Sequence, residues 1–306
     1  MTGKINSIIR LRINSDGTGV RSVIFLQDCP LSCSWCCNPE TRYGDSYKKL
    51  SEQQLYELVS RDQIYFDATN GGITFSGGEP LYQADFIQSF LRQYGENFNC
   101  NIETSLYASF DTIEKLIPYI NEWYIDFKVF DENDHFKYTG VTNQIILSNI
   151  KRLAEKIDAK KIIITYPIIP SVNDSLENVR NMTMFLKENG IVKIELHPYR
   201  KHREKKYERF NLNFQPFEKV TFDTLQKIES QFIKDGIDII KRDMHIERRK
   251  CETLKSIRRD FCKKNRIALS IEDCSYQGRC VGTCPKCESE LEIINKWRLN
   301  NNAKNR

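Results

Sequence analysis

The sequence predicts an α/β fold built on a parallel sheet of about six β/α units. Three observations lead there. Apolar, β-branched runs recur along most of the chain, and amphipathic helical patterns fall between them. Segments rich in cysteine, glycine and charge sit at or just after the C-terminal ends of those runs, where α/β folds gather their ligand sites.

In order, the strands read as Ser22–Gln27, Gly72–Phe75, Asn101–Thr104, Trp123–Phe127, Lys161–Tyr166 and Val192–Leu196. The helices read as Ser51–Arg61, Asp85–Tyr94, Asp111–Ile120, Gln144–Ile157 and Ser175–Glu188. Ser51 with Glu52, and Asp111 with Glu114, mark helix starts, while Gly95 and Gly190 stand where helices should stop. Charge rises near Arg242–Lys250, which predicts a boundary between a body of residues 1–245 and a cysteine-rich domain of residues 246–306. The basic stretch Lys255–Lys264 reads as a solvated helix face, and Asn300–Arg306 as a frayed polar end.

The chain has 306 residues, 40% hydrophobic and 28% charged, enough for one large core and a small appendage. A net charge of +5 suits an acidic partner or a docking face for a reductase and does not require nucleic acid. There is no signal peptide and no long apolar run, so no membrane partner is expected. With that composition, eleven cysteines point to metal ligation in a reducing cytoplasm and not to disulfides.

Cys29, Cys33 and Cys36 form a C-x3-C-x2-C loop. Three thiolates on one tight loop can hold three irons of a cubic iron–sulfur cluster and leave the fourth open. A structural zinc site needs a fourth ligand, which no conventional spacing supplies here. Cys37, adjacent to Cys36, should point away from the same metal. Ile73–Pro80 reads as a short strand ending in Gly77-Gly78-Glu79, with glycines for close backbone approach and a carboxylate that can accept from an ammonium group.

On these residues the chain resembles the radical S-adenosylmethionine superfamily, in which the methionine amine and carboxylate chelate the open iron and the GGE turn holds the amine. Asp16–Phe25 is similar to the opening strand of the glycyl radical enzyme activating enzymes, the pyruvate formate-lyase activase family. Asp126-Phe127-Lys128, His135 and Thr139–Asn143, Glu195–Tyr199, and Lys206-Tyr207 continue the likeness in order as far as about Phe210. The resemblance implies a partial (β/α)6 TIM-like barrel, closed by a helix at Phe217–Gly236 and a last strand at Ile237–Lys241. It implies a [4Fe-4S] cluster on Cys29, Cys33 and Cys36 with S-adenosylmethionine held by Gly77, Gly78 and Glu79. An external flavodoxin- or ferredoxin-type donor would reduce the cluster, and the resulting 5′-deoxyadenosyl radical would take a hydrogen from a glycine of a partner enzyme.

By period-two alternation Asp126 and Lys128 share one strand face and can both reach the ligand. Thr104 and Ser105 are expected at the ribose, His197 at the ligand mouth, and Trp35 over the cluster, with Cys100 and Cys251 inert. The sequence departs from the family at Thr18 (usually Pro), Asp28 (usually Gly), Cys37 (usually His) and Arg200 (usually His), and His202 is out of register for that last role. Only forty residues separate Cys36 from Gly77, so the ferredoxin-like insert of many activases is missing.

In its place the tail carries Cys274-x5-Cys280-x3-Cys284-x2-Cys287, four thiols able to hold a second [4Fe-4S] cluster or, equally by spacing, zinc. Two other functions use the same features. One is a peptide-modifying radical enzyme that epimerises or cross-links a ribosomal precursor; the other is a non-catalytic metal- or RNA-binding protein.

Overall fold

The structure, a computed structural model, describes residues 1–201, 204–241, 250–273 and 282–302. Its strands are β1 (Thr2–Ile13), β2 (Val20–Leu26), β3 (Lys48–Ser51), β4 (Gly72–Gly77), β5 (Asn99–Thr104), β6 (Glu122–Asp126), β7 (Ile162–Ile168), β8 (Lys193–Pro198) and β9 (Asp238–Ile239). They form one mostly parallel, unclosed sheet in the order β3-β1-β2-β4-β5-β6-β7-β8-β9. Every pair from β2 to β9 is parallel. This is the α/β partial-barrel class that the sequence predicts.

Parallel strands need crossovers, and amphipathic helices supply them. Ala84–Tyr94, Gln144–Lys156, Leu176–Glu188 and Phe222–Lys234 turn Phe90, Ile150, Val179 and Phe232 onto a core that includes Ile24, Phe75, Ile102, Trp123 and Ile164. The Ser51 start is a complete capping box with Gln54.

The register aligns the strand ends that matter. Leu26 pairs with Gly77, Thr104 with Ile125, Asp126 with Thr165, and Pro167 with His197. The loops that follow β2, β4, β5 and β6 therefore open at the same rim.

Several elements differ from expectation. The opening strand begins at Val20, because Gly17 (φ 124°) and Gly19 (φ 74°) bend the chain before it. The helix expected over Asp111–Ile120 is confined to Phe110–Glu114, capped by Ser109; Pro118 cannot continue a helix. The last strand shrinks to two paired residues. The antiparallel hairpin of β1 with β2, and β3 on its edge, had no sequence-level counterpart: β1 alternates apolar residues with half-exposed basic ones, and its pairing is nonlocal.

The expected boundary at 245/246 falls in 242–249, outside the described residues. Beyond it, helices Lys250–Lys264 and Pro285–Asn302 pack Leu254, Cys262, Leu291 and Ile294 against Leu11, Ile13 and Val20 and against Ile64 and Tyr65 of helix Gln63–Thr69. The basic helix is consequently not all solvated. Lys255 and Arg258 are buried, Lys255 between Glu252 (2.8 Å) and Asp273 (3.0 Å). No helix among the described residues is long and apolar enough to cross a membrane.

Candidate active site

A cavity of about 220 Å3 opens at the C-terminal rim of the sheet. Cys29, Cys33, Cys36, Gly77, Gly78, Glu79, Thr104, Ser105, Asp126, Lys128 and His197, all singled out from the sequence, line it together.

The cysteine loop is held from three sides. From β4, Gly78 N–H donates to Leu26 O and Glu79 N–H to Asp28 O, both at 2.9 Å. A β-carbon on Gly78 would meet Asp28 O at 2.2 Å, and one on Gly77 would meet Leu26 N at the same distance. The glycine pair thus lets the β4 turn lie against the cysteine loop itself. From helix Glu132–Thr139, the Thr139 carbonyl accepts from Ser32 N (2.6 Å) and the Tyr138 carbonyl from Ser34 N (2.9 Å). From helix Glu204–Arg209, Tyr207 donates to Cys36 O (3.1 Å), and Lys206 donates to Cys37 O (3.1 Å) and pairs with Glu40. His135 binds Val141 O through Nδ1 (2.7 Å), so it fixes the turn behind the loop and does not reach the cavity lining.

Glu79 is 1% exposed, and its carboxylate accepts four hydrogen bonds from the protein. Oε1 accepts from the Thr104 hydroxyl (2.5 Å) and Leu81 N–H (3.1 Å); Oε2 accepts from the Ser105 hydroxyl (2.5 Å) and Ser105 N–H (2.8 Å). Burial still raises its pKa above the ordinary carboxylate range. The Thr104 and Ser105 hydroxyls thus give their protons to Glu79.

Lys128 donates to Asp126 Oδ2 at 2.5 Å. Burial opposes its charge, but the charge of Asp126 and the hydrogen bond to it outweigh that, and its pKa lies above the usual lysine range. The loop carrying it is clamped by Asn173, whose Nδ2 donates to Lys128 O (2.7 Å) and Pro167 O (2.6 Å). Asn143 likewise donates to Val129 O and Phe130 O.

Burial pushes the Cys29 and Cys36 thiols up to about 12 and raises Cys33 as well. Metal ligation is what makes such thiols give up their protons. Cys29, Cys33 and Cys36 line the same cavity, and as a donor set they fit a three-cysteine cluster. The Thr165 hydroxyl and His197 Nε2, both in the lining, have no hydrogen-bond partner among the described residues, which fits a ligand bearing polar groups. His197 Nε2 lies 3.4 Å from Glu195 Oε2, within ion-pair reach but without hydrogen-bond alignment.

Trp35 lines the cavity and packs on Tyr138 and Phe217. Cys37 is exposed at the rim, and Cys100 is buried in the main core. Glu103 was missed from the sequence. It lines the cavity, accepts from Ser76 Oγ (2.7 Å), and is held above the usual carboxylate range by burial and by the charges of Asp16 and Asp126. Its place at the end of β5, two residues from inward-facing Asn101, was the available signal. Thr165 had none, because it enters only through its register with Asp126.

Of the tail cysteines, the described ones, Cys251, Cys262, Cys284 and Cys287, do not line this cavity. Cys274, Cys280 and His202 lie outside the described residues. Cys284 is half-buried and Cys287 buried at the start of the last helix; among the described residues, cavity and tail alike, no three metal-binding side chains are already grouped to hold a metal ion.

Residues 15–122 match the family described as a 4Fe-4S single cluster domain. The chain is 28% identical to the 4-hydroxyphenylacetate decarboxylase activating enzyme of Clostridioides difficile strain CD196, over 72% of this chain and 90% of that protein. It is 33% identical to the pyruvate formate-lyase-activating enzyme of Clostridium pasteurianum, over 69% of this chain and 88% of that one. A radical SAM methyltransferase from Sphaerobacter thermophilus, 16% identical, shares the fold with a TM-score of 0.56 over 77% of this chain and 76% of its own. With its cysteine loop, its GGE turn and a relative this similar along most of its length, the chain belongs to the glycyl radical enzyme activating enzymes, the pyruvate formate-lyase-activating branch of the radical S-adenosylmethionine enzymes.

Proposed function

We propose that the protein activates a glycyl radical enzyme by removing a hydrogen atom from a backbone glycine of that partner. The observation that supports this most is the convergence of Cys29, Cys33, Cys36, Glu79, Asp126 and Lys128 on one cavity, from loops that follow different strands.

In this reading Cys29, Cys33 and Cys36 hold a [4Fe-4S] cluster with one iron free for S-adenosylmethionine. When bound, that pair supplies one-electron reductive cleavage of the sulfonium and a 5′-deoxyadenosyl radical that abstracts the hydrogen. The protein's part is placement. The Gly77-Gly78 backbone and Glu79 receive the methionine amine, with Thr104 and Ser105 fixing the Glu79 carboxylate. Lys128, held by Asp126, presents a buried cation to the carboxylate. His197 and Thr165 offer unpartnered polar atoms to the nucleoside. The electron comes from a flavodoxin- or ferredoxin-type protein. Cys274, Cys280, Cys284 and Cys287 hold a second cluster, with zinc as the other metal their spacing admits, in a tail domain of residues 246–306.

The test is anaerobic. Protein reconstituted with iron and sulfide is given S-adenosylmethionine and a strong reductant, and 5′-deoxyadenosine is measured beside Cys33→Ala. The reading expects product from the wild type alone, and a glycyl radical signal by electron paramagnetic resonance once a cognate large enzyme is added. Product with no such signal, but with a modified small peptide, would replace it with the peptide-modifying reading. Steeply salt-dependent nucleic-acid binding with no turnover would replace it with the non-catalytic one.

A further inference from the structure

Positive charge gathers on one short stretch. Residues 200–209 carry six Lys or Arg against two Glu, a net +4 in a chain whose total is +5. Much of that stretch is helix Glu204–Arg209, and helical periodicity sorts its charges by face. Tyr207 is buried, so Lys205 and Arg209, four residues apart, share the outward face, and both are exposed. Glu204 and Glu208 fall on one flank and Lys206 on the other. The Lys206 flank meets the cysteine loop, where Lys206 donates to Cys37 O (3.1 Å) and pairs with Glu40. The cations therefore border that loop, and the two acids are turned from it.

The cationic band continues onto the neighbouring helix Glu40–Tyr43. Arg209 lies 5.7 Å from the centre of the Phe210 ring, and that ring packs on Gly44, where a β-carbon would come within 3.1 Å of it. Arg42, at the rim of the cavity, covers the Tyr43 ring at 4.6 Å. Arg200 and Lys201 are exposed just beyond β8. Of the acids on helix Glu40–Tyr43 and the turn after it, Glu40 is engaged by Lys206 and Asp45 is exposed.

This face stands one hydrogen bond from a cluster-loop cysteine. Tyr207 donates to Cys36 O (3.1 Å), yet none of Lys205, Lys206, Tyr207 and Arg209 lines the cavity. A protein that delivers an electron must come close to the cluster without entering the cavity, which S-adenosylmethionine and substrate fill. The outer side of the Cys36 turn meets both demands. Encounters between redox proteins bury little surface, so opposite charge, and not a large apolar area, brings such partners together.

We propose that the cationic face of Lys205, Arg209, Arg42, Arg200 and Lys201 docks a small acidic one-electron carrier protein, which reduces the cluster from the Cys36 side of the loop. The proposal rests on the reading of the cavity as a radical S-adenosylmethionine site. One electron leaves the carrier and enters the cluster, and no bond is made or broken in that step.

The test uses the reconstituted full-length protein with an acidic flavodoxin as the probe. Lys205→Glu/Arg209→Glu is compared with Lys227→Glu/Lys234→Glu, the same charge change on exposed residues of helix Phe222–Lys234. Affinity for oxidised flavodoxin is measured by titration calorimetry. Formation of 5′-deoxyadenosine is then followed with reduced flavodoxin and, separately, with dithionite. Wild-type affinity is expected to fall about tenfold between about 50 mM and about 300 mM salt. At low salt, Lys205→Glu/Arg209→Glu should bind about tenfold more weakly and form product from flavodoxin more slowly by a similar factor, with the dithionite rate unchanged. The control pair should alter neither by more than about twofold. Equal losses in the two pairs would overturn the docking face, since net charge alone would then attract the carrier. Unchanged affinity and rate in Lys205→Glu/Arg209→Glu would also overturn it. Flavodoxin binding retained but glycyl radical formation lost would give the face to the substrate enzyme instead, and a lost dithionite rate in that variant would give these residues to the fold. No product from the wild type with dithionite would overturn the reading of the cavity itself, whereas flavodoxin affinity reports on the face separately.

Discussion

Gly140 lies directly against Ser32. Its φ is 79°, and a β-carbon there would come 2.2 Å from the Ser32 hydroxyl. The contact joins the end of the helix after β6 to the cysteine loop after β2, where the Thr139 carbonyl already accepts from both Ser32 N and Ser32 Oγ. Gly140→Ala combines left-handed strain with a clash and is expected to cost about 2 kcal/mol. It should also lower the iron retained after reconstitution, because the loop must move. Iron content and thermal unfolding of the variant check this.

Ser105→Ala takes one of four donors from a buried carboxylate, at an expected cost of about 1–3 kcal/mol. The pH dependence follows from direction. The folded pKa of Glu79 is raised, so the folded state holds its proton more tightly than the unfolded one, and stability declines as pH rises from the ordinary value of 4.5 toward the folded value. Removing a donor to the ionised form extends that window upward. Denaturant unfolding of the apoprotein from pH 5 to 8 should show the gap between wild type and variant widening with pH; a constant gap would contradict the assignment.

Asp28, just before the first cysteine of the loop, adopts φ 77°. Its side chain gains only a half-exposed pair with Lys4 at 2.9 Å, a contact of little energetic weight. Asp28→Gly is therefore expected to stabilise the fold by about 0.5–1 kcal/mol, read as a higher unfolding midpoint.

Asn173 ties together the loops after β6 and β7, donating to Lys128 O and Pro167 O and accepting from Ile169 N at 2.7 Å. Its own carbonyl accepts from Tyr166 and Asn178. Asn173→Ala should cost about 2–4 kcal/mol by leaving buried backbone groups unpaired. It should weaken S-adenosylmethionine binding more than it changes the turnover of bound ligand, measurable as a KM effect larger than the kcat effect.

The strand runs around Ile24, Phe75, Ile125 and Ile164, and the helices between them, were legible because each buries its own periodic face. The antiparallel pairing of β1 with β3 was not, since Lys48–Ser51 has no apolar run of its own and becomes a strand only by pairing with Thr2–Ile5. In the cavity, Cys29, Cys33, Cys36 and Glu79 announced themselves by spacing and by glycine context. Glu103 and Thr165 did not, because their relevance depends on which strands are neighbours.

By itself, then, the chain's local chemistry determined the alternation of strand and helix, the three-thiol loop, and the GGE turn, because periodicity and residue spacing act over a few residues. Only the tertiary structure decided that Thr104 and Ser105 serve Glu79, that the glycines admit the cysteine loop, and that Arg258 is buried on Cys287 at the opposite end of β2. Each of those is a contact between residues remote in sequence, set by strand order and register.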